Sequence, residues 1–155
     1  MRNKRVIIPW ILLIGWMIII FYMSNQPGEI SSKQSELVVR IFQFIGINLT
    51  EKLGELATFI VRKVAHFSEY FILYCLMFNV LRFYLDKKGL KFYCLILVFL
   101  YACSDEIHQY FIPGRAMAFK DVLIDTSGGV IAYSGIKIYE VIKFKKVILK
   151  VSDKQ

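Results

Sequence analysis

Arg62, His66 and Glu69 follow one another at spacings of four and three in an otherwise apolar stretch, so a helix would gather them within about 60° of one face. Asp105, His108 and Gln109 do the same at i, i+3 and i+4, with Ser104 and Glu106 beside them, and Asp121 and Asp125 form a third set at i, i+4. Ionisable groups in segments this apolar are costly in lipid, so each needs a partner or a purpose. A carboxylate and an imidazole on one face can exchange a proton. His66, Glu69, Asp105 and His108 are therefore the candidate catalytic residues, the acids as general acid or base and the histidines as proton carriers. Arg62 and Arg115 can hold a phosphate or carboxylate through paired planar donors, and Glu106, Gln109, Asp121 and Asp125 are further candidates for binding substrate. Asp121 and Asp125 with His108 or Glu106 could instead hold a divalent metal, but no motif as diagnostic as a zincin's is present, and metal use stays open. The bland alternative is an ion-pair network that only sets helix register, with Lys63 and Lys120 as interfacial anchors.

Four apolar segments must position these groups: Val6 to Met23, and then about Arg62 to Leu85, Phe92 to Ile112 and Asp121 to Ile142. Eighteen uncharged residues at about 1.5 Å each nearly cross a hydrocarbon layer of about 30 Å. The basic start, Arg2, Lys4 and Arg5, would also suit a signal peptide, but no small-residue cleavage site follows, so an uncleaved first span is expected. Composition agrees. A chain of 155 residues that is 57% hydrophobic and 15% aromatic has more apolar surface than one soluble core of that size can bury. The net charge of +8 does not point to nucleic acid, because the Lys and Arg residues cluster at the ends of the apolar runs. Cys75, Cys94 and Cys103 lie within those runs with no disulfide or zinc spacing, and read as packing residues.

The expected fold is therefore all-α: a polytopic, single-domain membrane protein over 1–155 with four transmembrane helices. The N-terminal tail, the Arg82 to Lys91 turn and the end from Lys137 carry 3, 4 and 6 basic residues, against 7 elsewhere, which predicts both termini on the cytoplasmic side of the cell membrane. Residues 24 to 61 and the Pro113-Gly114-Arg115 turn would then lie outside. Within that loop, Leu37, Val38, Ile41, Phe42 and Ile45 recur opposite Lys33, Glu36, Arg40 and Gln43, which predicts an amphipathic helix on the outer surface that could roof the polar layer. Measured from the outer helix ends, His66 and Glu69 come about 6 and 10 Å deep, Asp105 and His108 about 12 and 7 Å, and Asp125 about 6 Å, so the three sets can meet. The small residues Gly128, Ala132 and Gly135 continue one face of the last helix and would let a neighbouring backbone come close.

The order Arg62-Lys63-x-x-His66-Phe67-x-Glu69-Tyr70, Ser104-Asp105-Glu106-x-His108-Gln109, Pro113-Gly114-Arg115 and Asp121-Val122-x-x-Asp125-x-x-Gly128 resembles the VanZ-like family over roughly residues 62–128. Ser24-Asn25-Gln26-Pro27 is similar to the short polar motif that the family carries after its first span, which adds Ser24 and Gln26 to the substrate-binding candidates. The resemblance implies a bacterial multi-pass membrane protein, and a family whose founding members are associated with low-level resistance to the glycopeptide teicoplanin. It supplies no mechanism.

Two classes of function fit. One is an enzyme working at the outer leaflet on a lipid-linked or cell-envelope substrate, with membrane lipids as its surroundings. The other is a non-catalytic protein that binds or shields an envelope component or an antibiotic with the same pocket. A transporter or proton relay ranks last, because the polar groups occupy one leaflet and leave no path across the aliphatic half. Substrate identity and oligomeric state are not legible in the chain.

Overall fold

The computed structural model describes residues 2–86 and 88–152; Lys87, in the expected cytoplasmic turn, and Lys154 lie outside the described residues. All regular structure among them is helical: α1 (Arg2–Ser24), α2 (Gly28–Phe44), α3 (Leu49–Leu53), α4 (Leu56–Leu81), α5 (Leu90–Gln109) and α6 (Phe119–Ser152). The helices stop where the chain supplies a reason. Gly46, at φ +88°, ends α2 with a paired cap in which Gly46 N–H donates to Gln43 O and Ile47 N–H to Phe42 O. Asn48 caps α3 by accepting from the Glu51 N–H at 3.2 Å.

Two boundaries differ most from those expected. α4 begins at Leu56, six residues before Arg62, and α6 runs on to Ser152, ten residues past Ile142. The expected limits followed the thickness of a bilayer and the onset of charge. A helix does not end at a water interface when no Gly or Pro breaks it, and the Lys-rich segment after Ile136 contains neither.

α4 is the central helix and touches every other one. Its Tyr70, Leu73, Tyr74, Met77 and Val80 pack with Leu13 and Ile20 of α1, Cys94, Val98 and Ala102 of α5, and Val122 and Ala132 of α6. The expected close approach occurs at Gly128, where a Cβ would come within 2.2 Å of the Phe67 carbonyl oxygen, and the Cβ of Ala132 is buried too. Gly135 has open space beside it, so the small stripe packs over its first two members and not its third. Aromatic tips tie α1 across the bundle: Trp16 Nε1 donates to Glu69 O and the Tyr101 hydroxyl to Met17 O, both at 2.9 Å.

The outward surface is apolar. On α1 alone Ile7, Ile8, Ile11, Leu12, Ile14, Ile18 and Phe21 are each at least half exposed. A water-soluble monomer rarely carries a continuous patch of this kind, whereas lipid requires one. Among the described residues, Arg5–Ser24 and Leu56–Leu81 are long and apolar enough to cross a membrane. α5 and α6 instead bury Asp105, Glu106, Gln109 and Asp125 against their neighbours. The loop helix α2 turns Gly28, Ser31, Ser35 and Val39 inward and points Leu37, Ile41, Phe44 and Ile45 away from the protein. It covers the bundle with its small face and offers its apolar face to the surroundings.

Candidate functional site

The polar residues of α4, α5 and α6 meet at the end of the bundle where α1 leads into α2. His66 stands between two carboxylates: its Nδ1 is 3.8 Å from Glu69 Oε2 and 3.7 Å from Asp125 Oδ1. Neither distance is a hydrogen bond. The Asp125 side chain is completely buried, and both its oxygens and the His66 Nδ1 lack a hydrogen-bond partner. Buried groups without partners are uncommon and mark either a site for a missing ligand or water or a group held ready to react. Glu69, Asp105, Glu106 and Asp121 all lie within electrostatic reach of Asp125.

Asp105 is more fully satisfied. Its Oδ2 accepts from Ser24 Oγ at 2.7 Å and from Gln109 Nε2 at 3.0 Å, and Gln109 also donates to Ser24 Oγ at 3.2 Å. The end of α1 is thereby fastened to α5 through three buried side chains. Glu106 accepts the Ala118 N–H through Oε2 at 2.9 Å and leaves Oε1 without a partner.

Arg115 is held as a strut. Its Nε donates to Gln26 O at 2.9 Å and its Nη2 to Met23 O at 3.1 Å, so two nitrogens of the planar fork are committed to backbone carbonyls. Burial, and then the nearby Arg62 guanidinium, lower its pKa from the ordinary value. Gln26 accordingly serves through its carbonyl, while its side chain returns to Tyr22 O at 3.3 Å. Arg62 donates from Nη2 to Ser32 Oγ at 2.6 Å, and its buried Nε is unpartnered. Beside it, Lys63 Nζ is paired with Asp121 Oδ1 at 2.6 Å.

A cavity of about 110 Å³ opens between α2 and α4. Of the candidates, Arg62, His66, Glu69 and Arg115 line it, together with Ser31, Gln34 and Ser35 of the covering helix. His108 does not. Its ring stacks on Phe21 at 4.8 Å between centroids, and its Nε2 is 3.2 Å from Asn25 Oδ1, on the α1 side of α5. The carboxylates proposed to share a metal do not converge either, since Asp121 is paired with Lys63 and Asp125 faces His66. Among the described residues no three His, Cys, Asp or Glu side chains form a set able to hold a metal ion.

Sequence spacing alone left out Ser31, Ser32 and Ser35. Their signal was the inward small face Gly28-x-x-Ser31-x-x-x-Ser35, obscured by the stronger apolar stripe on the same helix. Tyr70 reads as packing, yet its hydroxyl is buried among these acids with no partner.

A helical membrane protein with a partly buried cluster of acids, imidazole and guanidinium groups at one end of its bundle is the class that fold and site define. The chain matches the VanZ/LLP1 family model over residues 9–141 and belongs to that family. No curated protein and no solved structure matches it.

Proposed function

We propose that the protein crosses the cell membrane four times with both termini in the cytoplasm, and that the His66 cluster is an active site at the outer leaflet acting on a lipid-linked or cell-envelope substrate. One observation carries the catalytic part: His66 faces Glu69 and Asp125 at under 4 Å without a hydrogen bond to either, at the edge of a cavity that holds two arginines. In this reading His66 and Glu69 exchange the proton with substrate, Asp125 orients His66, and Arg62 and Arg115 supply positive charge for the anionic part. Ser24, Asp105 and Gln109 hold α1 against α5 so that the Met23 and Gln26 carbonyls meet Arg115. The basic-residue balance supports the topology.

The association of the family's founding members with teicoplanin resistance supplies the assay. In a susceptible bacterium expressing the chain, the parent should raise the inhibitory concentration of teicoplanin. Glu69→Gln and His66→Ala should return it to that of cells lacking the protein, with membrane-fraction levels unchanged. A graded weakening across both variants would indicate the non-catalytic binding role instead. Wild-type behaviour of both would remove the site from function.

A further inference from the structure

The cavity is lined by both charged and apolar side chains. Arg62, His66, Glu69 and Arg115 line it and are half-buried, and Val38 of α2 and Val61 and Ala65 of α4 line it beside them. Val38 and Ala65 are themselves exposed, and Ile41, one turn beyond Val38, and Val64, one turn beyond Val61, are more than half exposed. The opening is therefore set in a surface suited to hydrocarbon rather than water.

Size and charge restrict what can occupy it. A cavity of about 150 Å³ accommodates benzene. One of about 110 Å³ has room for a phosphate or carboxylate group, with the rest of a larger molecule outside it. The lining itself sets two guanidinium groups against a single acid, Glu69, with Asp125 buried behind His66, and the buried Nε of Arg62 has no partner. A group with several oxygens and up to two negative charges matches that wall better than a singly charged carboxylate.

From this lining and the exposed apolar residues beside it we infer that the cavity binds the phosphomonoester head of a membrane lipid, which reaches it sideways from the bilayer between α2 and α4 while its hydrocarbon tail stays against Val38, Ala65 and the apolar faces beside them. The inference rests on the reading of the His66 cavity as the substrate site and names the class of substrate.

Purified full-length protein in a neutral detergent tests it by thermal unfolding with three probes: dihexanoyl phosphatidic acid, dihexanoyl phosphatidylcholine and inorganic phosphate. The phosphatidic acid should raise the melting temperature saturably. Inorganic phosphate should bind on the order of tenfold more weakly, having no tail, and phosphatidylcholine should give no shift. Arg62→Gln should weaken phosphatidic acid binding about tenfold or more. Ala65→Trp, which plugs the mouth from an exposed position without touching a charge, should do the same, and so keeps the test valid where Arg62→Gln lowers the folded yield. Equal binding of free phosphate and lipid, a shift with phosphatidylcholine, or affinity unchanged in Ala65→Trp would each overturn the inference. Glu69→Gln separates it from the catalytic reading. If that variant loses its cellular effect while lipid binding ignores Arg62→Gln, the head-group assignment fails alone. If binding behaves as expected and Glu69→Gln protects cells normally, the catalytic reading fails alone.

Discussion

The carbonyl oxygen of Phe67 lies where a side chain on Gly128 would begin, 2.2 Å from the position of its Cβ. Phe67 follows His66, and Gly128 is one helical turn beyond Asp125, so this contact is what brings the imidazole and the buried carboxylate within 3.7 Å. Gly128→Ala should force α4 and α6 apart, at a cost of about 1–3 kcal/mol, and Gly128→Leu should prevent assembly. Gly135→Leu, in open space on the same helix, should be tolerated. Monodisperse yield in size-exclusion chromatography reads the difference, and equal yields for Gly128→Leu and Gly135→Leu would contradict the packing.

A second glycine holds the turn that carries Arg115. Gly28 N–H donates to Pro113 O at 3.0 Å, and a Cβ on Gly28 would fall 2.0 Å from Gly114 O. Gly28→Ala should push the Pro113–Arg115 turn off α2 and disturb the two bonds from Arg115 to Gln26 and Met23. A lowered melting temperature together with loss of the cellular effect is the expected outcome. An unchanged melting temperature would mean that the turn does not rest on Gly28.

Asp125→Asn tests orientation of His66 without changing side-chain volume. The amide keeps a hydrogen-bonding group beside the ring and removes the charge, so the teicoplanin effect should fall while folding is retained. Asp125→Leu should also reduce the folded yield, because a branched side chain must fit a fully buried site. Full activity in Asp125→Asn would show that His66 needs no anionic partner.

Ser24→Ala removes the 2.7 Å donor to the buried Asp105 carboxylate. Interhelical hydrogen bonds in membrane proteins contribute about 0.6–1.7 kcal/mol, so unfolding in mixed micelles should report a loss of that order, and function should be weakened rather than abolished. Asp105→Ala should cost more, because it frees both Ser24 and Gln109 from a shared acceptor.

Topology is checked with single cysteines in a background lacking Cys75, Cys94 and Cys103. Lys33, exposed on α2, and Met117, exposed in the turn before α6, should react with an impermeant thiol reagent in intact cells when replaced by Cys, whereas Asp86→Cys should not. Ser31 is unsuitable because it is buried against the bundle. Labelling of the Asp86 position alone would invert the proposed orientation.

The sequence by itself singled out the polar groups that stand apart in this apolar architecture. Charged groups are so unfavourable inside apolar helices that Arg62, His66, Glu69, Asp105 and Asp125 stand out without coordinates, and helical periodicity puts each set on one face. The five long helices, including α2 in the first loop, were legible from the same periodicity, whereas the five-residue α3 was not. Periodicity says which way a residue points on its own helix but carries no information about what faces it across a gap. Only the tertiary structure decided that Lys63 takes Asp121, that Arg115 commits two of its nitrogens to carbonyls at the end of α1 and in the turn after it, and that His108 stacks on Phe21 away from the His66 cavity. Those outcomes depend on rotation and spacing between helices, set by contacts such as Phe67 on Gly128, which no residue's place on its own helix encodes.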